Sequence, residues 1–404
     1  MSRGGPRVVE LDVLRGFALF GILLVNALMA AGPYYGFGGG PDAPAVDRVA
    51  AWLVTALVSG KFYLLFSFLF GYSFVLQERS AAAAGAPFAP RHLRRVLGLF
   101  VLGLAHAVLL YPGDILMAYA ALALPLYALR GLAPRTALRT AAVLVAVLFT
   151  LLLLEGVLSV AVTEPVTAAE HAPRAADTVT AHRGDALTVL GANLSELPSA
   201  IAAHVLYAPD LFAAFLAGLA AAKSGLLERR GRDRAWLRRT ALRWLPVGLL
   251  GALIAAGCAN WPLDSRWSAV GHAVTVLTGP ALTASYACGL LLLLDRARGP
   301  AAVLAASGRL ALTQYLTQSL VLALVFTGYG LGLYDRVGAA LVVLGCVLLY
   351  AAQLALGVRL TARFRYGPVE LLLRRVTLGR RPGDRPPDPS RGELPAPPAG
   401  RPAP

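Results

Sequence analysis

The chain has 404 residues, of which 57% are hydrophobic and 15% are charged, and its mean hydropathy is +0.64. Soluble domains carry about 25% charged residues, so this composition excludes an ordinary soluble protein. The net charge of +15 reflects 37 basic against 22 acidic residues. We interpret it as the basic excess of cytoplasmic loops in a membrane protein, not as a nucleic-acid-binding surface.

About ten apolar runs approach the roughly 20 residues that cross a bilayer as a helix. We predict an all-α, polytopic bundle of transmembrane helices in a single domain, residues 1–378. The predicted spans are 11–31, 61–78, 96–111, 114–130, 138–162, 199–222, 244–260, 268–294, 307–328 and 338–360.

Three segments fall between or after these spans. Residues 46–59 are too short for an independent span, and they are expected either to lie at the outer interface or to extend the second span. The polar insertion 163–197 is either a functional loop or a solvated linker. The tail 379–404 is rich in proline and arginine and is predicted to be disordered.

The distribution of basic residues predicts the orientation of the bundle. With a cytoplasmic N-terminus, thirty arginines and lysines fall in inner segments and six in outer segments. Positive residues concentrate on the cytoplasmic side of membrane proteins. Both termini are therefore predicted to be cytoplasmic.

The first span carries an arginine at membrane depth. Arg15 lies within the apolar run, three residues after Asp12 and eleven before Asn26. Burying a guanidinium there costs roughly 2.5–3.5 kcal/mol on insertion scales, so it needs a partner or a task. One interpretation is a local ion pair with Asp12, and the other is a site that binds a phosphate or carboxylate. Asn26 lies on the same face, about 16 Å away along the axis.

The second candidate feature is a histidine followed by a tight turn. His106 is in the outer half of the third span, and residues 111–113 form a turn that leads into Asp114. The returning chain brings Asp114 near His106, and a histidine oriented by a carboxylate suits general base catalysis. The alternative is a structural histidine and an aspartate that caps the fourth span.

Further polar residues interrupt later spans. Glu155 lies in the outer half of the fifth span, and an intramembrane carboxylate is a candidate functional residue. In the ninth span, Gln314 and Gln318 are four residues apart and predict a polar strip. Such a strip either joins helices by hydrogen bonds or lines a substrate cavity.

Metal chemistry and nucleotide chemistry of soluble types are not indicated. Cys258, Cys288 and Cys346 fall in different apolar segments without the spacing of a metal site. The sequence has no phosphate-binding glycine loop and no zinc-protease or serine-hydrolase motif. We predict no bound metal and no bound cofactor.

Six blocks in chain order carry a family resemblance. They are RVVELDVLRGFALFGILLVNA (7–27), FYLLFSFLFG (62–71), GLAHAVLLYPGDILMAY (103–119), GRLALTQYLTQSL (308–320), YGLGL (329–333) and GPVELLLRRVT (367–377). Together they resemble the YeiB-like family of bacterial inner-membrane proteins, whose domain is classed as domain of unknown function 418. The resemblance implies a multi-pass protein of the bacterial inner (plasma) membrane.

The YeiB-like proteins are distantly similar to transmembrane acyltransferases, including the heparan glucosaminide N-acetyltransferase and the O-acyltransferases of surface polysaccharides. The shared mark is an Arg-Gly pair in the first span, here Arg15 and Gly16. The polysaccharide enzymes have a histidine eleven positions later. This chain has Asn26 there, as the glucosaminide branch does. The histidine that acts in that branch has no direct counterpart here, and His106 is the candidate substitute.

Three functions are carried forward. The first is an acyltransferase, with acyl-coenzyme A as donor near Arg15 and an envelope glycan or lipid as acceptor. In it His106 and Asp114 would be catalytic, and Asn26, Glu155, Gln314 and Gln318 would bind substrate. The second is a transporter of a small anionic or lipid-like solute, in which Asp114, Glu155 or Asp210 would couple protons. The third is a non-catalytic partner in envelope assembly, and the expected partners in every case include membrane lipids but no nucleic acid.

Overall fold

The computed structural model describes residues 8–34, 43–165, 168–260 and 263–379. The tail that was predicted to be disordered lies outside these residues from position 380. Within them the chain forms helices and turns, with no β-strand. The helices are α1 (Val9–Ala31), α2 (Ala45–Leu57), α3 (Phe62–Ala83), α4 (Phe88–Leu109), α5 (Leu116–Ala128), α6 (Pro134–Val162), α7 (Ala168–Arg183), α8 (Ala186–Lys223), α9 (Leu226–Arg230), α10 (Arg234–Ala259), α11 (Ser268–Leu294), α12 (Arg298–Arg309), α13 (Ala311–Phe326), α14 (Ala339–Arg363) and α15 (Pro368–Leu378).

These helices confirm an all-α polytopic bundle. In the described part of the chain, eight helical segments are long and apolar enough to cross a membrane, and α12 with α13 forms a ninth as a bent pair. The helix α5, with the turn that follows it to Gly131, is a shorter apolar helix. Each predicted span coincides with one of these segments.

The segment 46–59 follows the second of its two predicted alternatives. Residues Ala45–Ala83 form one apolar stretch of 39 residues, in which α2 and α3 are separated by a turn. Gly60 has φ +86° within this turn, a conformation that side chains other than glycine rarely adopt.

The interpretation of 163–197 as a loop or linker is wrong for most of its length, because helix α7 occupies Ala168–Arg183 and α8 begins at Ala186. Asp185 caps α8 by accepting a hydrogen bond from the backbone N–H of Thr188 at 2.8 Å. The first turns of α8 then bury Val189, Ala192 and Asn193. Polar residues flank these buried positions, so no continuous apolar run marked this part of the helix in the sequence.

The ninth predicted span, 307–328, corresponds to the last residues of α12 and the whole of α13. The helices α12 and α13 meet at Leu310 with a bend of 78°. At the bend, Gly308 packs directly against the backbone of α1 at Asp12 and Gly16. Small residues allow this close approach of helices in membranes. The bend therefore places the start of α13 beside the half of α1 that is predicted to lie toward the cytoplasm.

Candidate functional site

The first cavity, here called the Arg15 cavity, is basic. It has a volume of about 520 Å³ and lies between α1, α3, α4, α5, the α12–α13 bend and α15. One acidic side chain, Glu370, lines it. Five arginines line it as well: Arg15, Arg91, Arg95, Arg309 and Arg374. This balance of charges makes the cavity suited to an anion.

Arg15 is paired and also faces the cavity. Its Nη1 donates to Oδ1 of Asp12 at 3.0 Å, and its Nη2 donates to the hydroxyl of Ser73 on α3. The local ion pair considered from the sequence is therefore present. One quarter of the Arg15 side chain is still exposed, against 6% for Asp12. The ion pair holds Arg15 at the cavity wall, and the interpretation of Arg15 as an anion site stays a prediction.

Two other arginines of the Arg15 cavity retain unused hydrogen-bonding capacity. The Nε atoms of Arg95 and Arg309 are buried and have no hydrogen-bond partner among the described residues. A buried charged donor without an acceptor is unfavourable. An anion bound between these side chains would supply the missing acceptors.

Glu370 leaves the cavity basic, because it is one carboxylate against five arginines, and its oxygens already accept hydrogen bonds from α13. It accepts hydrogen bonds from the backbone N–H groups of Leu312 at 2.8 Å and Thr313 at 3.0 Å, and from the Thr313 hydroxyl. These are the free N–H groups of the first turn of α13, where a carboxylate is stabilised by the helix dipole. The interaction ties α15 to the bend of the ninth span.

The second cavity, here called the Asn26 cavity, lies toward the other end of α1. It has a volume of about 620 Å³ and reaches α2, α3, α8 and α11. Its lining is mainly apolar and aromatic and carries little charge, with Glu196 as its one acidic residue among the described residues. Further polar lining residues are Asn26, Tyr63, Tyr111, His204, Tyr207 and His272. Such groups hydrogen-bond to hydroxyls or amines without requiring a charged ligand.

The two cavities share a thin partition. Ile22 of α1, Ile115 and Tyr315 line both cavities, and these are the residues that they have in common among those described. Arg15 and Asn26 consequently face different cavities although they share one face of α1. The cavities approach each other at Tyr315 from opposite ends of the bundle.

His106 and Asp114 lie together behind this partition, as the turn predicted. Nδ1 of His106 is 2.9 Å from Oδ1 of Asp114, although the carboxylate lies off the line of an Nδ1–H bond. Gly103 leaves room for Asp114 to pack against α4, since a Cβ there would lie 2.6 Å from Oδ2 of Asp114. Asp114 also accepts from the N–H of Met117 at 2.8 Å, so the predicted capping role is present as well.

Tyr315 stands between this pair and the cavities. Its hydroxyl is 3.5 Å from Oδ1 of Asp114, a long hydrogen bond, and its ring centre is 5.0 Å from that of His106. His106 and Asp114 are 2% and 3% exposed and line neither cavity. Of these three side chains, Tyr315 is therefore the one that can touch a ligand in the two cavities.

The remaining predicted substrate-binding residues lie apart from the cavities. Gln314 accepts from Ser307 at 2.6 Å, and Gln318 donates to Gln353 of α14 at 2.8 Å. These buried bonds match the helix-joining interpretation of the polar strip. Glu155 is exposed on α6 and lies close enough to Tyr207 and His272 to act on them electrostatically.

Comparisons with known proteins place this arrangement in a family. The model of the family described as "Protein of unknown function (DUF418)" matches residues 221–380. The protein YxaH of Bacillus subtilis (strain 168), described as uncharacterized, is 32% identical over 92% of this chain and 94% of its own length. The chain belongs to the DUF418 family.

Two more relatives agree with this assignment. YeiB of Escherichia coli (strain K12), also described as uncharacterized, is 29% identical over 92% of this chain and 96% of its own length. An uncharacterized 39.9 kDa protein of Bacillus acidopullulyticus is 28% identical over 93% and 95%. The relatives are bacterial and match this chain almost end to end. They confirm the YeiB-like family and leave the activity open.

The residues of this DUF418 protein that sequence reasoning missed are those whose neighbours are distant in the chain. In the sequence, Tyr315 and Tyr63 look like ordinary aromatic residues of apolar spans. Arg95 and Arg309 look like basic residues of the inner loops. His92 is 3% exposed, stacks on Tyr127 at 5.3 Å and lines the Arg15 cavity. Nothing in the local sequence distinguishes them, because the cavities form only when α1, α4 and α13 pack together.

The described residues of this DUF418 protein contain no cluster of three or more His, Cys, Asp or Glu side chains that could hold a metal ion. The three cysteines are buried and free, each on a different helix. The ionisable side chains that line the two cavities are those of arginine, tyrosine, histidine and glutamate.

Proposed function

We propose that this protein is a membrane acyltransferase. It takes an acyl group from a phosphate-bearing donor in the Arg15 cavity and transfers it to a hydroxyl or amine in the Asn26 cavity. The observation that carries the proposal is the partition, where a cavity lined by five arginines and a cavity with no arginine or lysine among its described lining residues end on the same three side chains. The basic-residue distribution predicts that the Arg15 cavity faces the cytoplasm, where acyl-coenzyme A is available.

The Arg15 cavity has the two properties that an acyl donor of this kind requires. The first is positive charge: Arg95 and Arg309 have unpartnered Nε donors, and arginine binds phosphate oxygens in a bidentate manner. The second is an apolar depth toward the partition, formed by Leu19, Phe66 and Leu116. The phosphates of acyl-coenzyme A would bind the arginines while its acyl end points to Tyr315.

The Asn26 cavity has the properties of an acceptor site. Its polar lining offers amide, phenol and imidazole groups but little charge, which suits hydroxyl or amine groups of a glycan or lipid head group. Holding donor and acceptor at one partition converts a two-molecule reaction into a reaction within one complex, and this orientation is a large source of rate acceleration.

Tyr315 is the group that touches the reacting atoms in this proposal. Its phenol faces both cavities, and Asp114 with His106 behind it fixes the position of the phenol. His106, predicted as the base, then acts through Tyr315 and Asp114 as a positioning residue. Asn26 supplies an amide that can hydrogen-bond to the acceptor or the acyl carbonyl.

The test is release of free coenzyme A from acetyl-coenzyme A by the protein purified in lipid nanodiscs. We expect Arg95→Gln to raise the KM for the donor about 10-fold to 100-fold, the range for losing a hydrogen bond to a charged group. Arg94→Gln is the matched control, because Arg94 is the exposed neighbour on α4 and lines neither cavity. Absence of release by the native protein, or equal effects of the two substitutions, would contradict the proposal.

A second function, transport of an anionic solute, is favoured by one observation. The helices α12 and α13 form a broken span with a 78° bend, and the N-terminal end of α13 adjoins the Arg15 cavity. Discontinuous helices form substrate sites in many secondary transporters. Proteoliposomes distinguish the two functions, since a transporter would accumulate the intact donor and an acyltransferase would release coenzyme A without accumulating it.

A further inference from the structure

A second carboxylate is buried behind the wall of the Asn26 cavity. Asp210 follows Pro209 within α8 and is 1% exposed. Its Oδ2 accepts a hydrogen bond of 2.6 Å from the hydroxyl of Tyr63. Its Oδ1 is buried and has no hydrogen-bond partner among the described residues. Asp210 is thus held by one tyrosine, and its second carboxylate oxygen has no partner among the described residues.

Tyr63 connects this carboxylate to the cavity. The residue is half-buried and lines the Asn26 cavity from α3. Its single hydroxyl proton is used by Asp210, so the remaining lone pair of its oxygen can only accept a hydrogen bond from a ligand. The backbone of Tyr63 is held as well, because the hydroxyl of Tyr119 of α5 donates to the Tyr63 carbonyl at 3.3 Å. A ligand hydroxyl that reaches Tyr63 is therefore oriented as a donor.

No basic side chain balances the negative charge of Asp210, since the described residues include no Arg, Lys or His within ion-pair distance of it. An unpaired buried carboxylate is costly, and such groups in membranes mark functional positions. The titratable groups around the pair are Tyr207 of α8 and Tyr119 of α5, with Glu155 of α6 acting on Tyr207. None of these offers the positive charge that a purely structural ion pair would need.

We propose that Tyr63 and Asp210 form the proton relay for the acceptor, an inference that rests on the acyltransferase proposed above. As the acceptor oxygen bonds to the acyl carbon, its proton passes to the Tyr63 oxygen, and the Tyr63 proton passes to Oδ2 of Asp210. The carbon–sulfur bond of the donor then breaks. The departing thiolate takes a proton from water on the donor side, and Asp210 gives its proton through Tyr63 to water on the acceptor side, so the products are ester and free thiol.

The relay differs in position from the Tyr315 group. Tyr315 lines both cavities at the partition, whereas Tyr63 lines the Asn26 cavity and not the Arg15 cavity. Tyr315 is therefore placed toward the donor and Tyr63 toward the acceptor. The hydrogen bond to Asp210 is 2.6 Å, against 3.5 Å between Tyr315 and Asp114. Proton transfer is favoured across the shorter of the two contacts.

The experiment compares two nucleophiles on acetyl-coenzyme A in the full-length protein in nanodiscs. Water needs to lose a proton as it attacks, whereas neutral hydroxylamine attacks without a base. We expect Tyr63→Phe and Asp210→Asn each to lower hydrolysis about 100-fold, within the usual range for general base catalysis. Transfer to hydroxylamine should fall less than about threefold, because it does not use the relay.

Tyr286→Phe is the matched control, because Tyr286 bonds a backbone carbonyl, that of Leu57, and lines none of the described cavities. It should leave both reactions unchanged. Equal loss of both reactions in Tyr63→Phe and Asp210→Asn would show a structural role and overturn the relay, and so would unchanged hydrolysis. If the native protein consumes acetyl-coenzyme A with neither nucleophile, the acyltransferase proposal fails first and the relay fails with it.

Discussion

At the scale of single residues, charge at membrane depth was the most informative signal. The spacing of Asp12 and Arg15 predicted their ion pair, which forms at 3.0 Å. The structure adds that Arg15 is one of five arginines around a cavity, with unpartnered Nε atoms on two of the others. Charged side chains at membrane depth cost free energy, and an anion bound in the cavity would offset that cost.

We predict that Tyr315 and His106 act as one unit. Because His106 reaches the cavities only through Asp114 and Tyr315, removing either end should remove the same contribution. Tyr315→Phe and His106→Ala should each lower coenzyme A release, and the double variant should be no slower than the worse single variant. Rates from the four proteins form the cycle. Additive losses would show that His106 acts independently of Tyr315.

At the scale of elements, two contacts set the geometry of the bent span. The close approach at Gly308 brings α12 onto α1, and Glu370 of α15 binds the first N–H groups of α13. Both contacts lie at the Arg15 cavity. The bend is therefore built into the packing of three separate segments, since Pro300 of α12 lies in the first turn of that helix, away from the bend at Leu310.

Gly308→Ala should destabilise the bundle. A Cβ at Gly308 would overlap the carbonyl oxygen of Asp12 and lie 2.9 Å from the N atom of Gly16. Overpacking of this kind costs about 1–3 kcal/mol, so the unfolding temperature in detergent should fall by several degrees. Gly345→Ala on α14 is the control, because open space surrounds that glycine. Equal unfolding temperatures for both variants would contradict the close approach.

Glu370→Ala should loosen the start of α13. The carboxylate accepts from Leu312 and Thr313, and hydrogen bonds to charged groups contribute about 1.5–3 kcal/mol. Amide hydrogen exchange at Leu312 and Thr313 should accelerate about tenfold or more. Glu78→Ala serves for comparison, because Glu78 makes a half-exposed contact of 3.6 Å with Arg130. Exchange that is unaltered in Glu370→Ala would mean that α15 does not hold α13.

At the scale of the whole molecule, the arrangement is a helical bundle with two cavities of unequal charge. Arginine concentrates around the cavity at the start of α1, and apolar and uncharged polar side chains line most of the one that Asn26 faces. The predicted orientation puts the arginine-rich end of the bundle toward the cytoplasm.

Cysteine labelling tests that orientation. All three native cysteines are buried, so a single exposed cysteine would dominate the reaction with a membrane-impermeant maleimide. On intact cells, Leu331→Cys in the turn after α13 should be labelled, and Ala82→Cys at the end of α3 only after permeabilisation. The basic inner segments beside Ala82 are the physical reason. The reverse pattern would invert the assignment of donor and acceptor cavities.

Composition, apolar run length and charge distribution were enough for the fold class and the order of the spans, because a bilayer imposes length and polarity on each helix separately. The same local rules found the Asp12–Arg15 and His106–Asp114 pairs. They missed α7 and the early start of α8, where polar residues interrupt the apolar period.

Packing alone decided where each side chain points. Arg15 and Asn26 share a helix face but open into different cavities, Gln314 and Gln318 bond to α14, and Tyr63 meets Asp210 across 147 positions of sequence. Such meetings depend on which small residues let two helices approach and at what angle. That information is shared between distant segments, so no single stretch of the chain contains it.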